Sequence, residues 1–150
     1  MYSQPLKKYS DFLKVILNLS PKTEEEVKRL YGSNYTYALV QELFDTEMHV
    51  IKLVENNEPV GVYGVKELKK NSAGIFLLTT DKLHNGNMIK FLREAKKQII
   101  LWEQQYDLLM DNCYKRNKTI IKWLTLLGFK PSIYEDNYFQ IYYKGNINEY

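Results

Sequence analysis

Apolar residues recur at steps of three and four along two stretches of the chain, and in unbroken or alternating runs along several others. Met88, Leu92, Ala95, Ile99 and Trp102 share one face, with Lys90, Arg93, Lys97 and Gln104 mostly outside it, which predicts an amphipathic helix. A second such stretch buries Ile120, Leu124 and Leu127 and exposes Lys115, Lys118 and Lys122. Gly128 is its expected C-cap, and Pro131 prevents continuation. Each helix follows a short apolar run, Ile75–Thr79 and Leu108–Met110. From Gly74 to Phe129 the order is therefore strand, helix, strand, helix, and two strands joined by a crossover of this length run parallel.

Upstream the period changes. Met48–Val54 and Val60–Leu68 are β-branched runs separated by Glu55-Asn56-Asn57-Glu58 just before Pro59, which predicts a hairpin. Gly61 and Gly64 in its second arm point to a bulge or a close backbone approach. Ahead of the hairpin, Ser10–Asp11 caps a helix that turns Phe12, Leu13, Ile16 and Leu17 inward and ends at Pro21. Thr23 and Glu26 have the spacing of a capping box opening a second helix, which stops at Gly32. A third segment, helical or irregular, carries Tyr37, Ala38, Val40, Gln41 and Phe44. Met1–Lys8 reads as a loose arm, and Tyr138–Lys144 alternates well enough for a last strand. Residues 1–45 are thus mostly helical, and 46–145 hold a sheet and two helices.

At 150 residues and 17.9 kDa the chain suits one domain with a sizeable core. A formal charge of +3 permits a phosphate or nucleic-acid partner without arguing for one. The single cysteine, Cys113, cannot form an internal disulfide, so a reducing compartment is expected. The N-terminus shows no signal-peptide pattern, and no apolar run nears the roughly 20 residues of a membrane helix. A soluble intracellular protein, or one packaged after synthesis, is the expectation, with no membrane partner.

The turn at His84–Asn87, where the central strand feeds its helix, is where an α/β protein would hold an anion. His84 reads as a phosphate donor or a plain polar loop residue. Two histidines and one cysteine make no zinc set, so no metal is expected. Cys113 has no base beside it in sequence and reads as an inert thiol. Asp107 and Asp111 bracket a strand and read as carboxylates capping the next turn. Lys115, Arg116, Lys118 and Lys122 form a basic face, but no aromatic platform interleaves it, so nucleic acid is not an expected partner. Trp102 and Trp123 read as core or subunit-contact aromatics.

Asn117 opens a register with Ile120 three on, Leu124 seven on, and Gly128-Phe129 eleven and twelve on. With the element order, this resembles the GNAT superfamily of acetyl-coenzyme A-dependent N-acetyltransferases, which often carry Asn, Ala, Tyr and Gly-Phe at those places. The resemblance implies a single α/β domain whose mixed central sheet, flanked by helices, has a parallel pair splayed at its centre. It implies acetyl-CoA as a possible cofactor, with pantetheine on the backbone of Leu78 and Thr79 and diphosphate on the amides of Gly86 and Asn87. Asn117 would cap its helix or bond the pantetheine arm.

Two departures stand out. Leu124 occupies the place of a tyrosine whose hydroxyl can protonate the leaving thiolate. Leu83-His84-Asn85-Gly86-Asn87-Met88 offers one glycine and no correctly spaced arginine where the family has a glycine-rich loop. No catalytic residue is identified. FLLTTDKL, the long basic helix, leucine at plus seven and the closing FQIYY are also similar to the small GNAT-like internal virion proteins of short-tailed phages, over Ile75 to Lys144. That narrower likeness implies a phage-encoded virion or assembly component with a degenerate acetyl-CoA site. It would contact other virion or assembly proteins, in the virion or the host cytoplasm. The alternative is an active enzyme moving acetyl from acetyl-CoA to an amine.

Overall fold

The computed structural model describes residues 1–145. Strand β1 (Tyr2–Pro5) leads into helices α1 (Tyr9–Ile16), α2 (Pro21–Tyr31) and α3 (Tyr35–Gln41), then a 3-10 turn at Glu42–Phe44. Strands β2 (Glu47–Lys52), β3 (Pro59–Lys69) and β4 (Ser72–Thr79) follow as an antiparallel meander. One helical turn, α4 (Asp81–His84), and the long α5 (Met88–Gln105) cross over to β5 (Leu108–Tyr114). Helix α6 (Lys118–Leu126) and the hairpin β6 (Lys130–Glu135) and β7 (Phe139–Gly145) complete the chain. The strands form one seven-stranded sheet ordered β1-β2-β3-β4-β5-β7-β6.

Periodicity sets which face each helix covers. Phe91, Ala95, Ile99 and Trp102 of α5, with Ile120, Trp123 and Leu124 of α6, pack on Tyr63, Val65, Ala73 and Leu109. On the other face Phe12, Val15, Ile16, Val27 and Leu39 of α1–α3 pack on Val50, Val62 and Leu78. Strand β3 is covered on both sides and is buried from Pro59 to Val65, as its continuous apolar run requires. At Gly64 an added Cβ would lie 2.5 Å from the Glu47 carbonyl and 2.7 Å from the Phe76 ring. Gly64→Ala is therefore expected to destabilise by about 1–3 kcal/mol through forced displacement, read as a lower urea midpoint.

The feature that positions the site is a break within the sheet. β4 and β5 are parallel and in register only at Ser72↔Leu108, Ala73↔Leu109 and Gly74↔Met110. Past Gly74, β4 stays with β3 as far as Thr79↔Gly61, while β5 stays with β7 as far as Tyr114↔Phe139. Each strand follows its antiparallel neighbour, and the twist of the two halves draws them apart. Ile75, Phe76 and Leu77, in the middle of the sheet, are consequently only half-buried.

Several sequence expectations need correcting. Met1–Lys8 is no loose arm: β1 pairs antiparallel with β2, Tyr2 opposite Lys52. Pro21 does not end the first helix; it is the first residue of α2, with Ser20 at the N-cap. Pro fits there because its missing N–H would have had no helical partner. Thr23 and Glu26 consequently lie inside α2 and form no capping box. The crossover has a separate turn, α4, before α5 begins at Met88. β5 runs on to Tyr114, so Asp111 sits mid-strand rather than at a strand end.

Candidate active site

Backbone groups beyond Gly74 lose their neighbouring strand and must find other partners or solvent. The alternation of a strand tells which residues face the break. The Asn71 carbonyl accepts from the Asp107 and Leu108 amides, and the Thr79 carbonyl accepts from the Ser20 amide at 2.8 Å. Thr80 points the other way, its amide donating to Val60. Ile75 and Leu77, between Asn71 and Thr79 in the same phase, therefore turn their amides and carbonyls toward the break. On the opposite lip Tyr114 donates its amide to Glu26 Oε1 at 3.1 Å. A carboxyl from α2 thus stands where a strand would have been.

The environment of that carboxyl differs sharply from that of its neighbour. Burial pushes the Glu26 pKa up to about 7, although the Tyr114 amide favours the anion. Glu25, one residue earlier and turned to the surface, is held down to about 2, chiefly by the Tyr114 hydroxyl at 2.7 Å and then by Lys22. Asp111, on β5, is raised well above the usual carboxylate range by burial and, next, by the charge of Glu26. The break therefore carries two carboxyls whose pKa values are both raised, and Glu26, at about 7, is poised to exchange its proton at physiological pH.

Cavities lie on both faces of the break. The larger, about 260 Å³, opens on the side of α1–α3, and the smaller, about 30 Å³, lies under α5 and α6. Both are lined by Ile75, Phe76, Leu77, Asp111 and Ile120, so they meet through the sheet. Leu124 and Trp123 line the smaller one.

The residues singled out in sequence fall into three places. Leu78 pairs with Val62 and is buried against α1, so its backbone faces β3 and not the break. The Thr79 carbonyl is taken by Ser20, and its hydroxyl joins those of Ser20 at 3.0 Å and Thr23 at 2.9 Å. The edge past the last β4–β5 bridge begins with the Ile75 carbonyl and continues at Leu77. His84 Nε2 lies 3.0 Å from the Thr79 hydroxyl, and its ring stacks on Trp123 with centroids 5.2 Å apart. Burial lowers its pKa, so it is a neutral structural ring rather than a cation for phosphate.

Gly86 takes φ +76° with open space beside it, a left-handed turn that glycine adopts without strain, but its amide donates to the His84 carbonyl at 3.0 Å and is not free for a diphosphate. Asn87 turns its side-chain amide back to the Lys82 carbonyl at 3.1 Å and does not cap α5. The first-turn amides of that 18-residue helix have no side-chain cap. Asn117 does cap α6, its Oδ1 accepting from the Ile120 amide at 3.5 Å. Its Nδ2 is buried with no acceptor, and so is Nε1 of Trp123. Buried donors are nearly always satisfied; of these two, Trp123 lines the smaller cavity at the break, while Asn117 lines neither cavity.

Other candidates drop out. Cys113 is buried, and burial, with Asp111 and Glu26 adding to it, pushes its thiol pKa up, away from a reactive thiolate. Lys115 is matched by Glu135 and by the Asp136 carbonyl, and Arg116 by Glu25. Among the described residues no group of His, Cys, Asp and Glu is placed to hold a metal, and no helix is long and apolar enough to cross a membrane.

No protein-family model matches the chain, and no curated protein matches it. Solved structures do. A GNAT-family acetyltransferase from Bacillus anthracis aligns over 95% of this chain and 93% of its own, with TM-score 0.68 and 15% identity. The fold is that of the GNAT acetyltransferases. The GNAT domain of S. lividans PAT covers 95% of this chain and 88% of that one, with TM-score 0.69 and 10% identity. A GNAT-family acetyltransferase from Elizabethkingia anophelis, solved with acetyl-CoA bound, covers 96% and 97%, with TM-score 0.63 and 15% identity. At such identities the likeness is one of fold, and the GNAT scaffold is what the splayed strands and flanking helices express.

Asn117 and Gly86 stand at the helix start and the turn that the sequence predicts for them, whereas the places of Glu26, Ile75, Leu77 and the Trp123 indole at the break were not foreseen. Glu26 was concealed by its capping-box spacing to Thr23. The signal against that reading was Ser20-Pro21, a cap followed by a first-turn proline, which puts Glu26 a turn and a half into the helix.

Proposed function

We propose that the chain is an acyltransferase that moves an acetyl group from acetyl-CoA to a primary amine. The observation that carries it is the break between β4 and β5, open to both faces and holding Glu26 at its lip. The bound coenzyme would supply the acyl group as an activated thioester. Ile75 and Leu77 offer strand-like backbone partners for its pantetheine amides, and Asn117 Nδ2 and Trp123 Nε1 offer donors for its carbonyls. The uncapped start of α5 offers amides to the diphosphate, with the helix dipole adding to them. Glu26 takes the proton from the acceptor's ammonium, freeing the lone pair that attacks; a base with pKa near the working pH suits that task. Leu124 can give no proton. Asp111, which burial pushes toward its protonated form, is the candidate donor at the break.

The direct test is titration of the protein with acetyl-CoA, followed by heat of binding and by melting temperature. A ligand at a hundredfold excess over Kd stabilises the native state by about 2.7 kcal/mol, so a clear upward shift is expected. Its absence would overturn the proposal. Asn117→Ser keeps an N-cap acceptor and removes the amide donor. It is expected to change urea stability by less than about 1 kcal/mol and to weaken acetyl-CoA about tenfold, the worth of one buried hydrogen bond.

A second reading, a virion or assembly component that retains the scaffold, draws on Leu124 and on the narrow space of about 30 Å³ beneath α5 and α6. Recovery of the chain in purified particles, with no heat from acetyl-CoA, would favour it.

A further inference from the structure

The larger cavity has a charge pattern that names its occupant. Its walls are largely apolar, with Phe12, Val27, Leu39, Met48, Phe76 and Leu78 among them. At its mouth Lys66 is already matched by Glu42 at 3.1 Å. Glu26 and Asp111 also line it, and among the described residues neither is paired with a lysine or arginine. Carboxyls held in a desolvated place without a cation are pushed toward their neutral form, and an ammonium brought within reach favours the anion and pairs with it. The wall is thus hydrophobic around the body of a guest and acidic at Glu26 and Asp111.

Size narrows the choice. An apolar cavity of about 150 Å³ accommodates benzene, and drug-sized pockets begin near 300 Å³. At about 260 Å³ this cavity takes one ring or branched alkyl group with a short tail, and no peptide. A second ammonium, as in a polyamine, would lie among the apolar walls or beside the Lys66–Glu42 pair, whose charges are already matched.

We infer that the cavity is an acceptor pocket for a small monoamine with a compact apolar body, its ammonium directed inward to Glu26 and Asp111 at the break. This rests on the acyl-transfer reading for its biological sense, though the binding itself does not require the coenzyme. The amine would enter past the exposed side chains of Leu30, Tyr31 and Leu68, on the face opposite α5 and α6. Its nitrogen would then meet the break from one side while an acyl group arrives from the other.

The test is calorimetric titration of the coenzyme-free protein with 2-phenylethylamine, 2-phenylethanol, spermidine and an alanine-terminated peptide, with acetyl-CoA titrated in parallel. The amine is expected to bind at least tenfold tighter than the alcohol, and spermidine and the peptide to bind more weakly than the amine. In Glu26→Gln and in Asp111→Asn the preference for amine over alcohol is expected to shrink several-fold, while alcohol binding persists and shows the pocket intact. Equal binding of amine and alcohol, or tighter binding of spermidine or the peptide, would overturn the inference. Amine binding without acetyl-CoA binding would leave this pocket standing and remove the acyl-transfer reading; the reverse pattern would remove the pocket and leave the reading.

Discussion

Glu26→Gln is expected to lower kcat for amine acetylation about 10²- to 10⁴-fold, the usual worth of a positioned general base, and yet to make the protein more stable at pH 8. The two effects share one cause. Folded Glu26 binds its proton up to a pH of about 7, whereas its ordinary value is 4.5. Between those values the folded state holds more protons than the unfolded one, so the free energy of unfolding falls as pH rises through the window. Above about 7 the loss from this group is complete, and a shift of this size corresponds to about 3 kcal/mol. Glutamine has no such slope and still offers an oxygen to the Tyr114 amide. Below pH 4.5 wild type and variant should match closely; by pH 8 the variant should be ahead by about 3 kcal/mol. Asp111 reinforces the contrast, because losing the charge of Glu26 removes one of the causes that raise it. Urea titrations at pH 4.5 and 8, with initial rates on a primary amine, check both halves. A variant that keeps its rate, or that is no more stable at pH 8, would show that Glu26 is not the base.

The same residue shows where a sequence stops being legible. The helical face of α5 and the hairpin β2–β3 could be read in advance, because their signals are local: periodicity in one, turn residues between β-branched runs in the other. The break could not. It depends on β4 and β5 each preferring a different antiparallel neighbour, and those partners are distant in sequence: Gly61 for Thr79, Phe139 for Tyr114. Asp111 looks like a strand-end carboxylate until β7 is seen to extend β5 past it. Asn117 was legible as a helix cap, because Asn is a preferred N-cap and the apolar period of α6 starts just after it. Leu78 and Thr79 belong to the right strand, but which residues face the break depends on phase. That phase is set by Thr80 bonding to Val60 and Ser20 bonding to Thr79, contacts that no spacing along one strand reveals.

Lys52→Ala is expected to cost about 3–5 kcal/mol, the penalty for removing one partner of a buried ion pair. Lys52 Nζ lies 3.0 Å from Asp11 Oδ2, and both residues are 7% exposed. The lysine sits at the end of β2 and the aspartate in α1, so the pair ties the helical layer to the sheet. With the lysine gone, the Asp11 carboxylate is left buried with no countercharge, and α1 must shift to bring it to water. Phe12, the next residue, is fully buried and lines the large cavity, so such a shift would open that wall. The loss should therefore appear twice, as a lower urea midpoint and as weaker binding of 2-phenylethylamine. Replacing both partners, Asp11→Leu with Lys52→Met, removes the stranded charge as well as the bond. Buried pairs replaced by apolar groups of similar volume are often neutral or stabilising, so the double variant should recover most of the stability lost in Lys52→Ala. If amine binding recovers with it, hydrophobic packing suffices to seat α1. If stability returns while amine binding stays weak, the ion pair sets the register of the helix on the sheet, and with it the shape of the pocket.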